Sequence, residues 1–356
     1  MSNRYVGILS LILIVCVLGC ISQDEPMLSG TVLKFSGNAL IATDDYLYVV
    51  AGTTRCVDWD GNLIWETDVQ GGLKMVLTKD ALFLTTYEYK KSSGVAVVDL
   101  DGRILWQKDL GTTPIKDIDA SDTLLAASET ERLWAFSPNG DTIWEYAHSS
   151  PFNEIAVAPD SSCVVFIDCF GFINCVENGA LVWSQRAGKS SKSLCTIPDY
   201  LALAFAPDSS YIVYSSEEDA AVVVINPNGE QKWSHPVNEY PLSVAITSDS
   251  QHIFVGSSER LYTFTYDGTL LWTAELPGDV NRIAVTPGGE YIAVGCDTNV
   301  DLPGLFVVFD SDGTVFWKTK TINIFRGVAL SPNGRCAAFA IFKGNVQIFD
   351  NTSQAG

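Results

Sequence analysis

Seven tryptophans each stand four residues after a glycine that itself follows Asp or Asn. They run Asp60-Gly61 to Trp65, Asp101-Gly102 to Trp106, Asn139-Gly140 to Trp144, Asn178-Gly179 to Trp183, Asn228-Gly229 to Trp233, Asp267-Gly268 to Trp272 and Asp312-Gly313 to Trp317. From Trp65 to Trp317 the intervals average 42 residues. A repeat of that length limits the chain to architectures in which one supersecondary unit stacks on its neighbours.

The interior of the unit decides which one. Before each Asx-Gly comes a run such as GVAVVDLDG, AVVVINPNG or LFVVFDSDG, rich in β-branched and aromatic residues, and after it a run such as NLIWETD or TLLWTAEL. Asn, Asp and Gly tolerate the positive φ of hairpin turns, so this is two strands around a tight turn. Two more strands precede them around a second turn, as in IAVAPDSSCVVFI, LAFAPDSSYIVYS, VAITSDSQHIFVG, IAVTPGGEYIAVG and VALSPNGRCAAFA. Four short antiparallel strands per unit make a β-propeller blade.

The last unit stops at VQIFDNTS, where its fourth strand should begin. Gly30-Thr31-Val32-Leu33-Lys34 aligns with Gly313-Thr314-Val315-Phe316-Trp317, which puts Lys34 in the Trp position and supplies the missing strand. The fold expected is therefore all-β: an eight-bladed propeller of four-stranded antiparallel blades, closed by pairing of N- and C-terminal strands. Seven blades would require 31–37 to lie outside the ring. Trp65, Trp106, Trp144, Trp183, Trp233, Trp272 and Trp317 read as blade-docking residues, since equivalent positions in a ring do equivalent work.

Residues 1–19 read as a lipoprotein-type signal peptide: Arg4 in a polar head, an apolar run from Val6 to Leu18, and Gly19 before Cys20. Val17-Leu18-Gly19-Cys20 resembles a lipobox, which implies that Cys20 is acylated. The alternative is an uncleaved anchor over Tyr5 to Ser22. Residues 20–29 form a polar tether, and 30–356 form one propeller domain. Either way the body is expected outside the cytoplasm and held at a membrane.

Composition excludes more than it assigns. With 42 acidic against 22 basic residues, a formal charge of -20 and no basic patch, the chain repels nucleic-acid phosphates. Cys163, Cys169 and Cys175 sit in apolar strands, where buried free thiols, one disulfide or a metal site are the readings. His148, His235 and His252 fall in different blades, and no GxSxG, HExxH or phosphate loop occurs. The Asp-x-Asp-Gly turns lack the remainder of a calcium loop.

Departures from the repeat mark where a site would be. Fifteen residues separate Trp144 from Pro159, Trp233 from Ser248, Trp272 from Pro287 and Trp317 from Pro332, but 24 separate Trp183 from Pro207. The excess lies within 186–199, with Lys189 and Lys192. Further excess lies at Asp297 to Gly304 and at Tyr87 to Ser93. Connections leaving an outer strand and those between second and third strands emerge on one face of the disc. All three insertions therefore share a face, which becomes the expected binding surface. Tyr87, Tyr89, Lys90 and Lys91 are candidate partner contacts, and Asp297, Asn299 and Asp301 form a weak candidate set for calcium.

The Asx-Gly-x-x-x-Trp units resemble the PQQ-like repeats of quinoprotein-type propellers, and the SPNG and APDS turns resemble those of WD-repeat propellers. Quinoprotein dehydrogenases hold pyrroloquinoline quinone (PQQ) with calcium and an adjacent Cys-Cys disulfide. This chain has no adjacent Cys pair, and its short blades leave little room for such a pocket, so no cofactor is expected. The outer-membrane assembly propeller lipoproteins of Gram-negative bacteria are similar in layout and perform no chemistry. The resemblance implies a membrane-tethered binding or scaffold module for a protein or envelope polymer. The other reading is a quinone- or metal-dependent oxidoreductase.

Overall fold

The Asx-Gly turns are local hydrogen-bonded units, and they set the blades. In the computed structural model Asp99 N donates to Arg103 O (2.9 Å) and Gly102 N to Asp99 O (3.0 Å), while Asp99 Oδ1 accepts from the amides of Asp101 and Arg103. The glycine takes a positive φ, +86° at Gly102 and +88° at Gly140, which an L side chain adopts only under strain. The same closure recurs at Asp58, Ser137, Asn226, Thr265 and Asp310. An Asp, Ser, Asn or Thr opening the turn is thus as much a part of the repeat as its glycine.

The structure describes residues 13–15, 31–33, 35–69, 72–187, 202–216, 219–237, 241–298, 303–321, 324–342 and 344–350. Every element in it is a strand. Six sheets are four-stranded and antiparallel: blade 1 (39–67), blade 2 (75–111), blade 3 (117–147), blade 4 (152–186), blade 5 (203–236) and blade 8 (325–350 completed by Thr31–Val32). A seventh, larger sheet spans Pro241 to Thr321. Within it His252–Thr265 supplies the second and third strands of one blade, and Leu270–Val285 supplies the fourth strand of that blade and the first of the next. The ladder carries across because Ser258 pairs with Asp279. Counted as separate hydrogen-bonded sheets the ring has seven members. Counted by the four-strand cycle it has eight, and we number the two halves of the large sheet blades 6 and 7.

The packing supports the second count. Among the described residues there are eight apolar clusters, each joining two consecutive four-strand cycles. One of them joins Phe254, Leu261 and Trp272 of blade 6 to Ile292, Val294 and Val307 of blade 7. Another closes the ring, packing Ala338, Ala340 and Ile348 against Leu33, Leu47 and Val49. The core is a circle of blade interfaces rather than one central mass, so each blade is held only by its two neighbours.

Terminal closure is observed, with a shifted register. Thr31 pairs with Ile348 and Val32 with Gln347. In blade 7 Trp317 pairs with Val308, two residues before Asp310, and Ile348 stands two residues before Asp350. Thr31, not Lys34, therefore occupies the Trp position. Lys34 lies outside the described residues, while Leu33 is buried in the closing cluster. A strand's faces alternate, so an apolar Leu33 on the core side fixes the pairing. The short strand Leu13–Val15 lies parallel to Trp272–Ala274. Among the described residues no helix is long and apolar enough to cross a membrane.

Candidate binding face

The two faces of the disc are built differently. On one, the turns between first and second strands are tied to the next blade. Lys79 N donates to Asp122 Oδ1 (3.0 Å), Asp160 N to Ser209 Oγ (3.1 Å), Asp208 N to Ser250 Oγ (3.1 Å), Ser248 N to Pro287 O (2.9 Å) and Asn333 N to Asp44 Oδ1 (2.9 Å). Five blade tryptophans reach the same face, donating from Nε1 to a turn carbonyl of the next blade: Trp65 to Leu100, Trp106 to Pro138, Trp183 to Pro227, Trp233 to Tyr266 and Trp272 to Ser311. Trp144 lies against Gly179 and Trp317 against Phe349. Backbone and side-chain polar groups are consumed here in holding blades together.

The opposite face carries the connections from fourth to first strands and between second and third strands, the Tyr87 to Ser93 insertion among them; most of the 186–199 insertion and residues 299–302 lie outside the described residues. Leu73, Tyr89, Phe170, Ile324 and Phe342 project from its connections, between 39% and 70% exposed. Cations stack on aromatic rings there: Arg55 over Phe35 (4.6 Å), Lys90 over Tyr89 (5.2 Å), Arg186 over Phe172 (4.8 Å) and Arg326 over Phe342 (4.6 Å). An open groove of about 470 Å³ runs along the flank of blade 5, lined by Arg186, Tyr214, Asp219, Gln231 and Ser234 among others.

Of the residues singled out in the sequence, Tyr87 is half-buried at the end of a strand pair with Ser93. Tyr89, Lys90 and Lys91 are exposed on the turn beyond it, with Lys91 paired to Glu88. Asp297 is not available as an open ligand: Oδ1 accepts from Phe325 N (2.8 Å) and Oδ2 from Asn281 Nδ2 (2.7 Å), and burial raises its pKa. Asn299, Asp301, Lys189, Lys192 and Cys20 lie outside the described residues. Among the described residues no group of three His, Cys, Asp or Glu could hold a metal. Cys56, Cys163, Cys169, Cys175, Cys296 and Cys336 are free and buried.

Two polar constellations escaped sequence reasoning. At the channel, Lys74 of the connection into blade 2 contacts Asp117 (2.6 Å) and Glu154 (3.6 Å). Asp117 Oδ2 accepts from Ile155 N (2.7 Å) and Asp119 Oδ2 from Val157 N (2.6 Å). Carboxylates of blade 3 thus satisfy amides on the inner strand of blade 4. Burial pushes the Asp119 carboxyl up to about 7, against the lowering effect of its bonds to Val157 and Ala120. The available signal was the inner strand DIDA, which puts Asp where other blades read IAVA or VAL.

The second constellation joins blades 3 and 4 at the loop face. His148 Nε2 meets Asp168 Oδ2 (3.0 Å), Tyr146 Oη meets His148 Nδ1 (3.3 Å), and Phe166 abuts the imidazole edge-on at 5.1 Å. Asp168 Oδ1 also accepts from the amides of Phe170 and Phe172. The carboxylate organises the turn that displays Phe170, and His148 ties that turn to the neighbouring blade. His235 and His252 are remote, in blades 5 and 6.

A family model described as outer membrane protein assembly factor BamB matches residues 25–164 and 218–350. No curated protein matches the chain. Among solved structures the fold is similar to that of BamB from Moraxella catarrhalis (16% identity, TM-score 0.63, 91% of this chain and 100% of that one). It is also similar to Chaetomium thermophilum Sqt1 bound to the N-terminus of the ribosomal protein L10 (12% identity, TM-score 0.70, 89% and 97%). The β-propeller domain of Myceliophteria thermophila Cps50 (Swd1) matches at 12% identity and a TM-score of 0.58 (76% and 93%). At these identities the structures speak for the fold, whereas the family model spans most of the propeller. The chain belongs to the family of PQQ-like repeat propellers described as outer membrane protein assembly factor BamB.

Proposed function

We propose that the protein is a membrane-tethered, extracytoplasmic scaffold that holds a partner protein of an envelope assembly system on its loop face. The observation that carries this reading is the contrast between the faces. One spends its turn amides and indole N–H groups on blade-to-blade bonds and exposes Tyr46, Leu100 and Tyr266 to at most 44%, while the connections of the other expose Leu73, Tyr89, Phe170 and Ile324 to between 52% and 70%. Aromatic residues and Arg are the side chains enriched at protein interfaces. The family's description as an assembly factor supports a protein partner. Lipid attachment at Cys20 supplies the tether, and the -20 charge suits a body that stays off nucleic acid.

Capture from solubilised envelope tests the reading. The wild-type protein retains a protein partner, and Phe170→Glu together with Phe342→Glu abolishes retention while the variants stay folded. Retention unchanged in the double variant overturns the assignment of the face. Cys20→Ser moves the protein from the membrane to the soluble fraction; continued membrane association overturns the lipid tether.

A further inference from the structure

The loop face is not uniform, and one sector of it has a recognisable partner chemistry. In blade 8 the entering connection and the loop between second and third strands are bonded together, Phe342 N donating to Ile324 O (2.7 Å). This places Ile324, 54% exposed, and Phe342, 39% exposed, on adjoining segments. Arg326, exposed two residues after Ile324, lays its guanidinium 4.6 Å from the Phe342 ring centroid and forms no ion pair with a described residue. On the other side of the same loop Val346 N donates to Phe35 O (3.3 Å), and the Phe35 ring carries Arg55 at 4.6 Å. Arg55 is itself neutralised by Glu66 (2.8 Å). The sector is therefore an apolar ridge of Ile324 and Phe342 with half-buried Phe35 beside it, and among the described residues no carboxylate pairs with Arg326.

On the same face Lys74 is matched by Asp117 and Glu154, Arg132 by Glu145 and Arg260 by Glu275, while Lys90 and Arg186, like Arg326, lie over aromatic rings. In a chain of net charge -20 an unmatched, ring-stacked Arg beside exposed apolar side chains is complementary to a carboxylate flanked by apolar groups. A guanidinium offers two parallel N–H donors to a carboxylate, and stacking on an aromatic face holds it ready at low entropic cost. We propose that the blade 8 sector, Ile324, Arg326 and Phe342, docks an extended acidic segment of the partner protein, a carboxylate meeting Arg326 and a neighbouring apolar side chain meeting the ridge. The inference rests on the loop face being the partner face and adds the site and the charge of what binds there.

The probe is a short fluorescein-labelled peptide alternating Glu and Phe, titrated with the folded protein and followed by anisotropy beside a Lys/Phe peptide. The Glu/Phe peptide binds, the Lys/Phe peptide binds at least about tenfold more weakly, and affinity falls as salt rises. Arg326→Glu reduces Glu/Phe affinity by at least about tenfold, whereas Arg103→Glu on the opposite face leaves it unchanged. Arg326→Lys keeps the charge but not the fork and gives an intermediate loss, which serves should Arg326→Glu not fold. Equal binding of both peptides, or indifference to Arg326, overturns the proposal. So does tighter, Arg326-dependent binding of phosphatidylglycerol vesicles, since the anion recognised is then a lipid headgroup. Loss of envelope capture in Phe170→Glu but not in Arg326→Glu moves the contact to blade 4 and leaves the loop-face reading standing.

Discussion

Trp106 of blade 2 and Gly140 of blade 3 form a lock: the indole Nε1 donates to Pro138 O (2.7 Å), and a Cβ placed on Gly140 would lie 2.8 Å from Trp106 Cδ2. The glycine serves twice, once for the positive φ of its turn and once for the space an indole needs. The lock recurs between Trp65 and Gly102, Trp233 and Gly268, and Trp272 and Gly313, with the turn glycine of one blade under the tryptophan of the blade before it.

Gly140→Ala should therefore cost more than its backbone term. A left-handed residue costs roughly 1–2 kcal/mol, and the clash with Trp106 adds to it. Gly52, at φ +77° with open space around its Cβ position, isolates the backbone term. Urea unfolding should show Gly140→Ala less stable than Gly52→Ala by at least about 1 kcal/mol. Equal costs would mean that the indole yields freely.

Ring closure should depend on Leu33 more than on its neighbours. The closing blade lacks a tryptophan lock, and Thr31 Cγ2 and Leu33 Cδ2 are what stand over Gly61, at 2.7 and 2.9 Å from its Cβ position. Leu33→Ala is expected to cost about 2–4 kcal/mol by cavity formation, whereas Val32→Ala, on an exposed side chain, should cost little. Thermal unfolding of both variants checks this.

The inner seam of blades 3 and 4 predicts a pH dependence. Asp119 titrates near 7 in the fold and near its ordinary 3.8 when unfolded, so between those values the folded protein holds the extra proton. Stability from this group is present below about 4 and is lost as pH rises through 7, by at most about 1.4 kcal/mol per pH unit. Asp119→Asn should flatten this part of the stability profile between pH 4 and 7. An unchanged profile would mean that the carboxyl is better solvated than its surroundings imply.

Asp168 is expected to matter as an acceptor rather than as a charge. Its two oxygens serve Phe170 N, Phe172 N and His148 Nε2. Asp168→Ala leaves these part-buried donors unmet at about 1 kcal/mol each, while Asp168→Asn retains one acceptor oxygen and should lose less. Chemical denaturation of the two variants, with proteolysis at the Phe170 turn, distinguishes the roles.

Much of this was legible because the blade is a local object. Its turns close within five residues, so Asx-Gly, APDS and the 42-residue period could be read directly. What escaped was set across blades. The register of the closing strand differs by three residues from the sequence alignment, Thr31 standing where Lys34 is expected, because no tryptophan marks it and burial of Leu33 decides. The roles of Asp117 and Asp119 depend on their amide partners on blade 4, Ile155 and Val157. The continuous ladder through Ser258 and Asp279 follows from how blades 6 and 7 meet, which no run of residues announces.

Site-specific photo-cross-linking in intact cells tests the central claim most directly. A benzophenone side chain is placed at Tyr89, Phe170 or Phe342 on the loop face, and at Tyr46, Leu100 or Tyr266 on the turn face. The account predicts cross-linked protein adducts from the loop-face positions and none from the turn-face positions. Adducts formed equally from both faces, or from the turn face alone, would contradict it.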